Sequence, residues 1–244
     1  MDERFKRMSG IINDAQFEAI KSTTMVLFGL GGVGGFAFEA IIRAGFENLA
    51  LIDMDKFEIT NLNRQLASDS NNIGLYKVDV YKNRVFKINP NANILTFNVK
   101  VSNENINSIF DEIKSKFINS KIFVLDMIDD VNAKIEIIKY CHFNNLELIS
   151  SMGTANHINS DKIYIDKINN TSYCPLAKKI RHILNDDKNI NPTVLYFKEE
   201  PIKALDDNNN HLKSTISYIP AISGLKIAEY CIKKIIWLNN TKLV

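Results

Sequence analysis

Short apolar runs alternate with longer amphipathic segments through the first 150 residues of the chain. Runs of four or five apolar residues have the length of buried strands, whereas apolar residues that repeat every three or four positions are typical of helices. The pattern predicts strands at 25–28, 49–52, 94–97, 121–125 and 146–150, with helices at 14–21, 36–44, 73–89, 106–117 and 131–143. Such alternation predicts an α/β fold, a Rossmann-like and mainly parallel sheet with helices on both faces.

The rhythm changes beyond residue 151. Residues 162–168 alternate apolar and polar positions like a half-exposed strand, and residues 193–197 form a further apolar run. A basic helix after Pro175 lies between them, and an apolar helix at 216–238 follows. We predict one continuous domain in which the later strands extend the sheet in the antiparallel direction.

A glycine-rich turn, Gly29-Leu30-Gly31-Gly32-Val33-Gly34, joins the first predicted strand to the first long helix. The second strand then ends at Asp53. Strand, glycine turn, helix, strand and acid in this order form the dinucleotide fingerprint, in which backbone N–H groups bind phosphate and the acid binds ribose hydroxyls. The alternative is a tight turn that binds no ligand. The context favours a nucleotide site, but it leaves the identity of the nucleotide open.

The residues after Asp53 favour a nucleotide with a long phosphate chain. A triphosphate carries more charge than a bridging diphosphate and is held by fixed cations, which Arg64 and Lys77 can supply. Asp126 ends the fourth predicted strand, where open sheets place ligands and where a carboxylate can hold magnesium. Taken singly, an arginine such as Arg64 more often forms a surface salt bridge, and a lysine such as Lys77 is more often solvated. An acid such as Asp126 often caps a helix. Their order together favours the ligand interpretation.

Composition narrows the class of protein. The net charge of +2 is too small to indicate a strongly charged partner such as nucleic acid. The three cysteines contain no C-x-x-C pair, so we expect neither a structural zinc site nor a disulfide framework, which fits a reducing, cytoplasmic compartment. The charged start of the chain is unlike a secretory signal. Four charges within 216–238 argue against stable membrane insertion, so a helix packed on the sheet is expected there.

Several short motifs together resemble the adenylation motifs of the ubiquitin-activating superfamily, the ThiF/MoeB/HesA group. They are Arg4-Phe5-Lys6-Arg7, the glycine turn, Asp53-Met54-Asp55, Thr60-Asn61-Leu62-Asn63-Arg64-Gln65, Gly74-Leu75-Tyr76-Lys77 and Asp126-Met127-Ile128-Asp129. The resemblance implies a single ThiF-type adenylation domain over residues 1–244. Residues 1–155 would be its nucleotide-binding part, and 156–244 would supply the sheet extension, a substrate loop and a C-terminal helix.

The resemblance also implies roles for individual residues. ATP and Mg²⁺ would bind, with magnesium on Asp126. Arg7 would act as an arginine finger in the neighbouring subunit's site, which implies a homodimer. The residues implied in catalysis are Arg7, Arg64, Lys77 and Asp126. The implied nucleotide contacts are Gly29, Gly31, Gly32, Gly34, Asp53, Asp55, Asn61, Asn63, Arg64, Lys77 and Asp126.

Within that superfamily, the later half resembles the tRNA threonylcarbamoyladenosine dehydratases. The resemblance rests on residues 148–153, 167–177, 197–201 and 219–224. It implies ATP-dependent dehydration, with ring closure, of N6-threonylcarbamoyladenosine beside the tRNA anticodon, through adenylation of the threonine carboxylate. A cysteine-desulfurase and sulfur-acceptor system is a further possible partner. The alternatives are adenylation of the C-terminal glycine of a ubiquitin-like sulfur carrier, a degenerate nucleotide-binding scaffold and, more distantly, a dehydrogenase.

Candidates for substrate binding lie in and after the loop that precedes the basic helix. Lys178, Lys179 and Arg181 form the best local basic cluster for the tRNA anticodon stem-loop, although such a run is more often a solvated helix face. Cys174 is placed to form a thioester, yet ring closure within the substrate requires no enzyme nucleophile, and the alternative is an inert thiol. The four histidines are scattered, and we assign none to catalysis.

Overall fold

The computed structural model describes residues 2–185, 189–206 and 209–238. They contain one seven-stranded sheet with the strand order β3-β2-β1-β4-β5-β7-β6. The strands are β1 Thr24–Phe28, β2 Asn48–Ile52, β3 Asn93–Phe97, β4 Ile122–Asp126, β5 Glu147–Ser151, β6 Ile163–Lys167 and β7 Thr193–Phe197. Every pairing is parallel except that between β6 and β7. The predicted fold class is confirmed, with one correction: β7 runs parallel to β5, so β6 alone is antiparallel.

The long helices cover both faces of this sheet. They are α1 Asp14–Ser22, α2 Gly32–Arg43, α3 Lys77–Ile88, α4 Ile106–Lys116, α5 Val131–Phe143, α6 Pro175–Leu184 and α7 Tyr218–Leu238. Helix α3 begins four residues later than predicted. Gly74 has a φ of +85°, and Tyr76 pairs with Lys56 in an isolated bridge, so residues 73–76 form a turn that places Lys77 in the first turn of the helix.

Strand β1 is buried on both sides and separates two cores. Met25 and Leu27 pack in one apolar cluster with α1, α2, α3 and α7, whereas Val26 and Phe28 pack in the other with α4 and α5. Alternate side chains of a strand point to opposite faces of the sheet. Because both faces of β1 are buried, all of its residues in the two cores are apolar. The central strand thereby fixes the sheet between its two helical layers.

Helix α7 packs against α2 with close contact between their backbones. A Cβ atom added at Gly224 would overlap the carbonyl oxygen of Val33 and approach the amide nitrogen of Ala37 to 2.8 Å. Gly224 therefore sets how closely α7 can approach α2. Among the described residues, no helix is both long and apolar enough to cross a membrane.

We expect Gly224→Ala to lower the free energy of unfolding by about 1–3 kcal/mol, because the added methyl group must push α7 away from α2. Urea denaturation measures this change. Gly153→Ala is the matched control, since a Cβ atom there meets nothing within 4 Å. A Gly224 variant as stable as that control would contradict the close packing.

Candidate active site

The carboxyl ends of β1, β2 and β4 lie at one level, because Phe28 pairs in register with both Ile52 and Asp126. The loops that follow these strands enclose a pocket of about 370 Å³. Open parallel sheets bind ligands at this edge, where the chain turns away on either side. Eight of the predicted nucleotide contacts line the pocket: Gly29, Gly31, Gly32, Asp53, Asp55, Asn61, Arg64 and Lys77.

The glycine turn has no space for side chains. Gly29 has a φ of +87°, and a Cβ atom there would come within 2.9 Å of the Met127 carbonyl group. A Cβ atom at Gly34 would overlap the Gly29 carbonyl oxygen, so Gly34 closes the turn behind the pocket and does not line it. Gly31 caps α2 without a side-chain hydrogen bond. The first N–H groups of that helix are therefore available to an anion.

Asp53 fixes the glycine turn to the end of β2. Its Oδ2 accepts a hydrogen bond from the Leu30 amide at 2.6 Å, and its Oδ1 accepts one from the Asp55 amide at 2.8 Å. Burial raises the pKa of the Asp53 carboxyl group, an effect that the positive charge of Lys77 partly opposes. Each oxygen keeps a second lone pair, so the same carboxylate can both hold the turn and accept a ribose hydroxyl.

Two cations reach the pocket from different directions. The buried Lys77 ammonium group lies 2.8 Å from Oδ2 of Asp55, a half-exposed partner that holds it at the pocket wall. Arg64 donates through Nη1 to the Thr60 carbonyl oxygen at 2.8 Å and to Oδ1 of Asn63 at 2.9 Å. Its Nε and Nη2 groups donate to no described residue. The guanidinium group is thus oriented by one edge and free to bind phosphate with the other.

The two asparagines of the motif have different positions. Asn61 is buried in the pocket wall, where its Oδ1 accepts the Glu58 amide at 3.1 Å and closes the short turn before Arg64. Asn63 lies outside this pocket. Its Nδ2 donates to the Thr215 carbonyl oxygen at 3.2 Å, so it connects the Arg64 loop to the segment before α7.

Asp126 does not lie where the sequence predicted. It is fully buried, 2.8 Å from the ammonium group of the equally buried Lys134, and it accepts the Ser150 hydroxyl at 2.6 Å. The side chain of this last β4 residue points towards α5 and away from the pocket lining. The direction of a strand-end side chain depends on sheet geometry that the local sequence does not reveal.

Sequence reasoning assigned no role to Asp129, which lines the pocket three residues later. Asp129 is exposed and has no hydrogen bond or ion pair to any described residue. Its neighbour Asp130 also lines the pocket but caps α5 through the Ala133 amide and pairs with Lys100 at 3.2 Å. The bond from the Ala133 amide holds the pKa of Asp130 below its ordinary value. The available carboxylate of this loop is therefore Asp129.

Comparison of the sequence with models of known protein families shows which family this chain belongs to. The ThiF family matches residues 5–243. The chain belongs to the ThiF family. This confirms the resemblance that the short motifs indicated, and it places the glycine turn, Arg64 and Lys77 inside the matched region.

Individual members of the ThiF family are similar over nearly the full chain. A tRNA threonylcarbamoyladenosine dehydratase of Bacillus subtilis (strain 168) is 31% identical over 241 residues, which span 92% of this chain and 91% of that protein. A crystal structure of the E. coli enzyme TcdA in complex with AMP aligns with a TM-score of 0.87 and 25% identity, over 98% of this chain and 96% of that one. The structure of the same E. coli enzyme in complex with ATP aligns with a TM-score of 0.86 and 24% identity, over 99% of this chain and 97% of that one.

Arg7 lies far from the pocket of the same chain. It is an exposed residue of the 3₁₀ segment Glu3–Met8, which Phe5 anchors by packing its ring 5.6 Å from that of Phe17. Phe5 also approaches Gly45, which precedes β2 at the amino end of the sheet. Arg7 is therefore at the opposite end of the sheet from the glycine turn. Its role in a neighbouring subunit stays a prediction.

The residues predicted to contact the tRNA substrate divide into two kinds. Lys178 and Lys179 are exposed on α6, and their role stays a prediction. Arg181 has a structural function, because its guanidinium group donates to the Ile168 and Thr171 carbonyl oxygens and to the Thr171 hydroxyl. Cys174 is buried at the start of α6. None of these four residues lines the nucleotide pocket.

The three cysteines are free and buried. Throughout residues 2–185, 189–206 and 209–238, no group of three or more His, Cys, Asp or Glu side chains is arranged to hold a metal ion.

We expect Lys134→Met to lower the free energy of unfolding by about 3–5 kcal/mol, because Asp126 would stay buried without its cation. Denaturant titration measures the change, with Lys82→Met on the exposed face of α3 as the control. A difference below about 1 kcal/mol between the two variants would mean that Asp126 does not depend on this ion pair.

Proposed function

We propose that this chain is an ATP-dependent dehydratase of N6-threonylcarbamoyladenosine in tRNA. The observation that carries the proposal is the convergence of a helix N-terminus, Arg64 and Lys77 on one pocket at the carboxyl ends of the strands. Similarity to the B. subtilis dehydratase over 92% of the chain supports the substrate, and the fold shared with the AMP-bound E. coli enzyme supports the nucleotide.

The reaction follows from the weakness of a carboxylate as an electrophile. One carboxylate oxygen of the threonyl group attacks the α-phosphorus of ATP, which forms an acyl-adenylate and releases pyrophosphate. The N–H groups of α2, Arg64 and Lys77 stabilise the negative charge that develops on the phosphates. Because both cations are already held in place, little reorganisation is needed as the bond breaks.

The second step takes place within the substrate. The carbamoyl group attacks the activated carbonyl carbon, the ring closes, a proton leaves and AMP departs with the former carboxylate oxygen. One water is lost overall. An attack inside one molecule requires no covalent enzyme intermediate, and the burial of Cys174 in the apolar core beside Ala177 and Ile180 agrees with a structural thiol.

A magnesium ion is part of the proposed site. We propose that Asp129, a pocket carboxylate without a partner among the described residues, would hold the ion together with phosphate oxygens, and that Asp126 and Lys134 fix the start of its loop. A magnesium ion usually takes only one or two carboxylates beside substrate phosphates, and it would neutralise part of the phosphate charge.

The direct test incubates the purified protein with ATP, magnesium and threonylcarbamoylated tRNA, followed by mass analysis of the released nucleosides. Loss of one water from the modified nucleoside, with formation of AMP, is the expected result. An unchanged nucleoside, together with pyrophosphate exchange that requires a small ubiquitin-like protein, would instead support a sulfur-carrier adenylating enzyme. A link to a cysteine-desulfurase system stays a prediction.

We expect Arg64→Ala and Lys77→Met each to reduce kcat/KM for AMP formation about 10²–10³-fold, because each removes a fixed charge from the transition state. Lys87→Met, an exposed position at the end of the same α3, is the control and should act like the wild type. Full activity in either pocket variant would exclude that residue from the reaction.

The homodimer is tested by complementation. Arg7→Ala and Arg64→Ala should each be weakly active alone, because each lacks one cation at every site. After equal mixing and exchange of subunits, about one quarter of the sites should contain both arginines, since half of the dimers are mixed and each has one intact site. Recovery of about a quarter of wild-type activity supports a finger acting between subunits, whereas no recovery contradicts it.

A further inference from the structure

A second pocket, of about 440 Å³, opens beside the nucleotide pocket. One wall is the segment 214–217 before α7, and the opposite wall consists of Asn63, His157 and Ile158. Both pocket volumes fall within the range of about 300–1,000 Å³ that is usual for small-molecule sites. Of the residues that line it, sequence analysis assigned a role only to Asn63, because the others lie outside the recognised motifs in the chain.

The two pockets meet at Thr215, which lines both of them. Asn63 connects them through hydrogen bonds: Nδ2 donates to the Thr215 carbonyl oxygen at 3.2 Å, and Oδ1 accepts from Nη1 of Arg64 at 2.9 Å. A molecule in the second pocket is thus separated by one residue from a molecule that contacts Arg64.

The second pocket is held in shape by the segment 156–158. The Ser214 amide donates to Oδ1 of Asn156 at 2.6 Å, and the Asn156 amide donates to the Ser214 carbonyl oxygen at 2.7 Å. At the other end, the Tyr218 hydroxyl donates to the Ile158 carbonyl oxygen at 2.6 Å. Both walls are therefore tied together at each end, and the pocket is preformed.

The lining suits an uncharged ligand with flat and polar parts. Ile158 and Ile216 are 59% and 46% exposed, which leaves apolar surface for a ring system, and Ser214 and Ser217 offer hydroxyl groups. No Lys, Arg, Asp or Glu is among the described residues that line it. This contrasts with the neighbouring pocket, whose walls contain Arg64, Lys77 and several carboxylates.

His157 forms a rigid part of the wall. Its ring stacks on Phe197 with centroids 4.0 Å apart and planes 9° apart, and Nδ1 lies 3.2 Å from Oε1 of Glu199. Burial lowers the pKa of His157, although Glu199 opposes this effect. A neutral imidazole at pH 7 adds a polar edge without a charge.

We propose that the second pocket binds the modified nucleoside of the tRNA, its adenine and ribose, so that the threonyl carboxylate passes Thr215 and meets the α-phosphate of ATP. The inference rests on the proposed function. Adenylation requires the carboxylate and the α-phosphate to be in contact while two nucleosides are bound, which calls for two adjoining pockets. The charged pocket suits the triphosphate, and the uncharged pocket suits a base and a sugar.

The test measures the binding of N6-threonylcarbamoyladenosine by equilibrium dialysis in the presence of a non-hydrolysable ATP analogue, and the KM of a modified anticodon stem-loop. Ser217→Trp should fill the pocket, weaken nucleoside binding and raise the stem-loop KM at least about tenfold, which corresponds to about 1.4 kcal/mol. Ile216→Ala should have a smaller effect in the same direction. The affinity for the ATP analogue should stay unchanged, which also shows that the variants are folded.

Ser108→Trp, at an exposed position of α4, is the matched control. Nucleoside affinity and stem-loop KM that are equal in wild type, Ser217→Trp and Ile216→Ala would overturn the proposed subsite. The nucleoside-binding measurement tests the subsite independently of the reaction. Binding that is present in the wild type and lost in Ser217→Trp supports the subsite, whereas no binding to the wild type contradicts it. Failure of the wild type to dehydrate the substrate is a separate result that contradicts the proposed function.

Discussion

The site depends on how closely the backbone folds on itself at the turn between β1 and α2. Side chains at Gly29 or Gly34 would collide with the Met127 carbonyl group or with the turn itself. Because the turn is this tight, α2 starts directly above the end of β1, and its unpaired N–H groups face the pocket. The groups that we propose to bind phosphate are arranged around that helix start.

The surrounding loops are fixed by interactions that also serve the site. The Asp53 carboxylate holds the glycine turn, and Asp55 holds Lys77. Lys134 and Asp126 hold the beginning of the loop that carries Asp129. Buried ion pairs of this kind contribute little net stability but specify one arrangement, a role that we infer here from their position between the sheet and the pocket. The groups that we propose to face phosphate are therefore preorganised by the fold.

Much of the fold could be predicted from the sequence because β1 to β5 are short and separated by amphipathic helices. The direction of β7 could not be predicted, since its apolar run is compatible with either parallel or antiparallel partners. The glycine turn, Asp53, Arg64 and Lys77 were found because they are close in sequence and chemically distinctive. Except for Gly34, which lies behind the pocket, the glycines of the turn line it together with Asp53, Arg64 and Lys77, and the predicted Asp55 and Asn61 line it too.

The remaining differences between the predicted and the observed site have a common physical cause. The direction of a side chain and its contacts with distant parts of the chain cannot be inferred from the local sequence. Asp126 points to Lys134 because of the face that β4 presents, and Arg181 binds backbone carbonyl groups that precede its own helix. The second pocket joins Asn63, His157 and Thr215, which only the tertiary fold brings together. Such features require coordinates.

The central claim is that the substrate carboxylate attacks the α-phosphate of ATP, and oxygen labelling tests it most directly. The threonyl carboxylate of the tRNA nucleoside is labelled with ¹⁸O, the reaction is run with unlabelled ATP in unlabelled water, and the masses of AMP and inorganic phosphate are measured. The account predicts that AMP carries one labelled oxygen from the carboxylate. Label in inorganic phosphate, or dehydration with unlabelled AMP, would contradict it.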